Sequence, residues 1–86
     1  MRLKDGFVTY ETQDEHLLVP VGKHSFSGLV RSNETAAFLI EHLKEDTTKE
    51  RLEQDLMNQY GIVRELASMD VEKVLEKLRE IDALDE

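Results

Sequence analysis

Between Phe26 and Leu39 the chain changes its period. Phe26-Ser27-Gly28-Leu29-Val30-Arg31-Ser32 is short and extended in character, whereas Asn33-Glu34-Thr35-Ala36-Ala37-Phe38-Leu39 opens a helical repeat. Asn33 stands at the junction. Asparagine is a preferred helix N-cap because its side-chain oxygen accepts a hydrogen bond from an otherwise unpaired amide of the first turn. An extended segment therefore passes directly into a helix, with strand-like sequence before Asn33 and helix-like sequence after it.

Residues 6–32 hold the only proline and most of the glycine. Phe7-Val8-Thr9-Tyr10 is rich in β-formers and reads as a first strand. Gln13-Asp14 suits a turn before a second strand, His16-Leu17-Leu18-Val19-Pro20-Val21. Pro20 has no amide proton, so pairing should falter there on at least one side. Gly22 to Ser27 is polar and turn-like, and Gly28-Leu29-Val30-Arg31 is the third strand. Consecutive strands tend to be neighbours, so a three-stranded meander leaves the third at an edge.

The remainder reads as three helices. Ala36, Leu39, Ile40 and Leu43 fall at helical spacing and define one stripe over Glu34 to Leu43. The second helix is expected from Thr47, where Glu50 three positions on completes a capping-box pattern. It runs through Leu52, Leu56 and Tyr60 to a natural stop at Gly61. The third spans about Arg64 to Ile81, with Ala67, Val71, Val74, Leu75, Leu78 and Ile81 on one side. The tail from Asp82 to Glu86 is expected to fray, with Leu84 able to pack back. Together these describe an α+β chain of winged-helix-like build, a three-stranded antiparallel sheet followed by three α-helices. With 86 residues and neither repeats nor a linker, it reads as a single domain over residues 1–86.

Charge narrows the functional classes. The formal net charge is −8, from eleven basic against nineteen acidic residues. Duplex binding and binding to anionic membranes both draw on Lys and Arg, so neither nucleic acid nor membrane is an expected partner. The third helix would be the groove reader of a winged-helix protein, yet it carries Glu65, Asp70, Glu72, Glu76 and Glu80. There is no cysteine, which excludes disulfides, thiolate metal sites and a Cys nucleophile. Met1 to Gly6 has no apolar targeting region, and a cytoplasmic protein is the default.

Catalytic patterns are absent. His16, His24 and His42 belong to a strand, a loop and a helix, without metal-ligand spacing. Glu72, Glu76 and Glu80 recur on the helix side away from the apolar stripe and read as a solvated face. The glycines form no phosphate cradle and no nucleophile elbow occurs. The expectation is a non-enzyme with neither metal nor cofactor. Two features stand out beside this background. The edge strand Leu29-Val30-Arg31-Ser32 lacks proline, and an open edge is either shielded or used for strand addition. Lys73 and Lys77 lie one turn apart on a flank shared with Leu66 and Asp70, where they solubilise the helix or pair with acidic side chains of a docked peptide. Phe38 reads as a rim residue capping the core.

Taken in order, the residues resemble the PqqD-like family, small chaperones named after a protein of pyrroloquinoline quinone (PQQ) biosynthesis. Gly6-Phe7, Leu18-Val19-Pro20, Phe26-x-Gly28-Leu29-Val30 and Asn33-Glu34-Thr35-Ala36-Ala37-Phe38 carry the first half of the likeness. Thr47-Thr48-x-Glu50-x-Leu52, Leu56, Tyr60 and Asp70-Val71-Glu72-Lys73-x-Leu75-x-Lys77-Leu78 carry the second. The resemblance implies a winged-helix-like fold and a non-catalytic role. Such proteins bind the leader region of a ribosomally made precursor peptide and present it to a modifying enzyme, typically a radical S-adenosylmethionine enzyme. In the family the leader adds as a strand along the third strand, in a cleft closed by the third helix. Carried over, one wall is Leu29, Val30, Arg31 and Ser32, and the other is Leu66, Asp70, Lys73, Val74 and Lys77. The rival classes are a winged-helix transcriptional regulator and a structural module whose edge pairs with its own copy, giving a homodimer.

The chain departs from the family pattern at several positions. Ser32 stands where many relatives have Leu, Ile40 where Trp is frequent, and His42 where the residue is usually apolar. Glu53 and Asp55 are also more polar than the pattern. These departures imply a different or weaker core around the first two helices. Asp82 replaces the Gly that commonly ends the last helix, which implies fraying there.

Overall fold

The computed structural model describes residues 1–13, 15–20 and 30–86, the backbone alone at residues 20 and 30–32. Its elements are β1 (Arg2–Leu3), β2 (Phe7–Glu11), β3 (His16–Pro20), β4 (Val30–Ser32), α1 (Glu34–His42), α2 (Lys49–Tyr60), α3 (Arg64–Glu80) and β5 (Leu84–Asp85). β2, β3 and β4 form an antiparallel sheet in that order, with β4 at an edge. Thr9 lies opposite Leu18, and Leu18 opposite Val30. Side chains alternate along a strand, so Phe7, Thr9, Glu11, His16 and Leu18 share one face. Phe7 and Leu18 are buried on it, whereas Val8 and Tyr10 on the reverse face are exposed.

Pro20 ends β3 opposite Phe7, and β4 pairs with the other half of that strand, His16 to Leu18. The missing proton of Pro20 thus costs no bond to β4. β4 runs to Ser32, one residue beyond the expected end, and abuts the cap of α1. The expected turn over residues 22–27 and the residues Val21, Gly28 and Leu29 lie outside the described residues, as does Asp14 of the Gln13-Asp14 turn.

Asn33 caps α1, its Oδ1 accepting from the Ala36 N–H at 2.8 Å. α2 begins one residue later than the capping-box pattern suggests. Thr48, not Thr47, is the cap, and its Oγ1 accepts from the Arg51 N–H at 3.2 Å. Thr47 is engaged elsewhere: its N–H donates to the Met1 carbonyl at 2.8 Å, and its own carbonyl accepts from the Met1 amine at 2.8 Å. α2 stops at Gly61, whose φ of +65° is a conformation that L side chains resist.

The three apolar stripes meet in one core. Leu39, Ile40 and Leu43 from α1, Leu52 and Leu56 from α2, and Ala67, Val71, Leu75 and Leu78 from α3 are buried together with Leu18 of β3. Burial of each such leucine stabilises the fold by about 1.5–3 kcal/mol. Around the first two helices the polar departures His42, Glu53 and Asp55 each have a partner. Ile40 is buried. Glu53 is buried too, its Oε1 accepting from Arg64 Nη1 at 2.8 Å. The His42 ring lies 4.3 Å from that of Phe38, and its Nε2 is 3.9 Å from Asp55 Oδ2.

The tail is also ordered, against the expectation of fraying. Asp82 takes φ +57°. Its N–H donates to the Arg79 carbonyl at 3.1 Å and the Ala83 N–H to the Leu78 carbonyl at 2.8 Å, the bond pair of a Schellman cap. Asparagine and aspartate are the non-glycine residues that best tolerate this backbone. Lys4 Nζ then holds the Asp82 carboxylate at 2.6 Å. Ala83 and Leu84 enter the core, and β5 pairs antiparallel with β1, Leu84 opposite Leu3. No helix among the described residues is long and apolar enough to cross a membrane.

Candidate functional site

α1 is the element that relates the two expected walls. It packs on β3, β4, α2 and α3, so it contacts both the sheet edge and the last helix. β4 supplies Val30, Arg31 and Ser32 as an edge strand. Leu29 lies outside the described residues. One side of β4 is paired with β3, and backbone groups alternate in direction along a strand, so its outer side presents backbone groups that have no partner strand among the described residues.

On α3, a rotation of 100° per residue brings Leu66, Asp70, Lys73 and Lys77 to one flank, with Val74 between that flank and the core stripe. Their burial follows this order. Val74 is partly buried against the core, Asp70 is half-buried, and Leu66, Lys73 and Lys77 are exposed. Lys77 Nζ lies 3.6 Å from Glu80 Oε2, a loose surface pair. Leu66 at 51% and Met69 at 55% exposure are large apolar side chains presented to solvent, one turn apart. The sequence reading omitted Met69, although its three-residue spacing from Leu66 was available as a signal.

A concavity of about 430 Å³ lies between the hairpin and α1. Among the described residues it is lined from β2 by Thr9, Tyr10 and Glu11, and from β3 by His16 and Leu17. Glu34, Ala37, Phe38, Ile40 and Glu41 of α1 and Tyr60 of α2 complete it. Phe38 and Tyr60 meet edge to face, their ring centroids 5.7 Å apart. Burial, aided by the Glu34 charge, pushes the Tyr60 phenol above its ordinary 10.0 and keeps it protonated. At the far end Lys44 Nζ donates to Glu41 Oε1 at 2.8 Å and to Thr9 Oγ1 at 3.0 Å. That bond holds the Glu41 carboxyl below its ordinary 4.5, although burial opposes it.

His16 Nδ1 lies 3.5 Å from Glu11 Oε1, and His42 Nδ1 lies 2.9 Å from the Phe38 carbonyl, a contact that only the protonated nitrogen makes. His24 is outside the described residues. Among the described residues no three His, Cys, Asp or Glu side chains converge so as to hold a metal ion.

Comparison with known proteins adds two findings. No curated protein matches the chain in sequence. Among solved structures, TbiB1 in complex with the TbiA(beta) leader peptide has a similar fold, with a TM-score of 0.79 at 18% sequence identity, over 99% of this chain and 95% of that one. The profile of the family described as Coenzyme PQQ synthesis protein D (PqqD) matches residues 15–84, which include β3, β4, all three helices and Leu84. By that match the chain belongs to the PqqD family.

Proposed function

We propose that this chain is a recognition protein that binds the leader region of a ribosomally synthesised precursor peptide and presents it to a modifying enzyme of the radical S-adenosylmethionine class. The leader adds as a further strand on the outer side of β4, and the sheet with its following helices acts as a winged-helix-like clamp. The observation that carries this reading is the edge position of β4 among the described residues of a PqqD-family chain, with α1 packed on both β4 and α3. Similarity of fold to TbiB1, a protein solved with a leader peptide, supports it.

In this arrangement backbone pairing supplies affinity and side-chain contacts supply specificity. Val30 to Ser32 form one wall. Leu66 and Val74 offer apolar contact on the other, while Asp70, Lys73 and Lys77 set its charge. The role is recognition, not catalysis, and the chemistry belongs to the partner. Titration of the ¹⁵N-labelled protein with a leader peptide tests the reading. Amide shifts should concentrate at residues 29–32 and 66–77. Shifts confined to other elements would refute it.

A further inference from the structure

Among the described residues, the groove between the hairpin and α1 shares none with the proposed leader site. Its walls come from β2, β3, α1 and the last residue of α2, whereas the leader site uses β4 and α3. Its interior is apolar and aromatic, with Ala37, Phe38 and Tyr60 side by side, and its rim is acidic, with Glu11, Glu34 and Glu41. All three rim carboxylates belong to exposed residues. Glu41 uses Oε1 for both Lys44 and Thr9, while its Oε2 has no partner among the described residues. Glu34 sits one residue beyond the Asn33 cap, close enough to Tyr60 for its charge to act on the phenol.

A volume near 430 Å³ is at the lower end of the range for side-chain and ligand pockets and has room for two or three side chains, not for a whole strand. An aromatic interior beneath a carboxylate rim is complementary to arginine, whose guanidinium pairs with carboxylates and stacks on aromatic faces. The net charge of −8 favours approach of a basic partner over the whole surface.

We propose that this groove is a second docking surface, which takes a positively charged, apolar-anchored segment of a second protein while the β4 edge is occupied by its own peptide. The occupant is arginine-bearing, with a leucine- or phenylalanine-sized anchor that enters beside Phe38 and Tyr60. The proposal extends the recognition role to a bridging one, in which one small acidic chain holds two polypeptides at separate places. The bridging role rests on the leader reading, whereas docking at the groove stands without it.

Two blocked hexapeptides of equal apolar content test it, Arg-Leu-Arg-Phe-Arg-Leu and Glu-Leu-Glu-Phe-Glu-Leu, each titrated into the ¹⁵N-labelled full chain. The basic peptide should shift amides of residues 9–11, 16–17, 34–41 and 60, and the acidic peptide should leave them in place. The double variant Glu34→Gln/Glu41→Gln changes only exposed carboxylates and should weaken the basic peptide about fivefold. The same variant should leave leader-induced shifts at residues 30–32 as they are, so failure of the leader reading and failure of this one are separately visible. Equal response to both peptides, an unchanged affinity in the double variant, or basic-peptide shifts at residues 30–32 and 66–77 in place of the groove would each overturn the proposal.

Discussion

Glu53 and Arg64 are joined across the α2–α3 junction, Arg64 Nη1 donating to Glu53 Oε1 at 2.8 Å although the two stand eleven positions apart. The Glu53 side chain is 9% exposed and that of Arg64 49%, so a nearly buried carboxylate is neutralised by a guanidinium at the surface. Lys49 Nζ, at 4.0 Å from the other oxygen, is the second cation within reach. Arg64 is also the first residue of α3, so the pair ties the start of that helix to α2.

Removing the cation should therefore cost more than removing both charges. Arg64→Ala leaves a desolvated carboxylate and is expected to lower unfolding free energy by about 1–3 kcal/mol. Glu53→Leu in the same background should restore most of that loss, because an apolar group replaces the unpaired charge. Urea denaturation of the two variants, with unchanged m-values, checks both outcomes. A harmless Arg64→Ala would remove the ion pair from any account of this interface.

Gly61 and Asp82, both left-handed, make opposite predictions. At Gly61 an added Cβ would meet nothing within 4 Å. Gly61→Ala therefore tests the backbone alone and should destabilise by about 1–2 kcal/mol. Asp82→Gly relieves the backbone but breaks the contact with Lys4, and it should be close to neutral. Asp82→Ala loses on both counts and should cost at least as much as Gly61→Ala. Thermal melts of the three variants rank them.

Acid should weaken the fold in a defined window. Hydrogen bonds from Lys44 and from Lys49 hold the carboxyls of Glu41 and Glu72, respectively, below their ordinary 4.5. Both groups bind a proton less readily folded than unfolded. Their contribution is complete above about pH 4.5 and is lost as the pH falls from there through the lower folded-state values. The Lys49 partner is raised above its ordinary 10.5 by the same bond to Glu72, so its share persists below that pH and is lost only in strong alkali. Unfolding free energy should be flat from pH 6 to 8 and decline below about pH 4.5. Glu72→Gln should make that decline shallower.

Leader affinity should depend on the α3 flank without stability depending on it. Lys73 and Lys77 are exposed, and the double variant Lys73→Ala/Lys77→Ala should weaken an acidic leader by up to about thirtyfold, at most about 1 kcal/mol for each of the two pairs. The effect should fade at high salt. Calorimetric titration at two ionic strengths, beside a melt of the variant, separates binding from folding.

What the sequence revealed follows from the length over which each signal is written. The stripes Leu39-Ile40-Leu43 and Ala67-Val71-Leu75-Leu78 repeat over several turns, and those helices lie within a residue or two of their expected ends. Asn33 and Gly61 each carry a local chemistry that points to one geometry. Strands two residues long carry no period, so nothing in Arg2-Leu3 or Leu84-Asp85 announces that they pair. Thr47 and Thr48 are adjacent and equally suited as caps, and only the contact of Thr47 with Met1 decides between them. Glu53 looks like a surface residue until α3 brings Arg64 over it. The flank Leu66, Asp70, Lys73 and Lys77 follows from helical spacing, whereas its relation to β4 runs through α1 and is a matter of tertiary packing. The hairpin groove gathers residues from four elements, none of which is distinctive alone.

The β1–β5 ribbon has a topological consequence. Its Lys4–Asp82 contact joins residues 78 positions apart, a ring whose closure costs roughly 4 kcal/mol of chain entropy. The first and last described segments thereby share a single mooring, and a tether grafted at either would depart from the same spot.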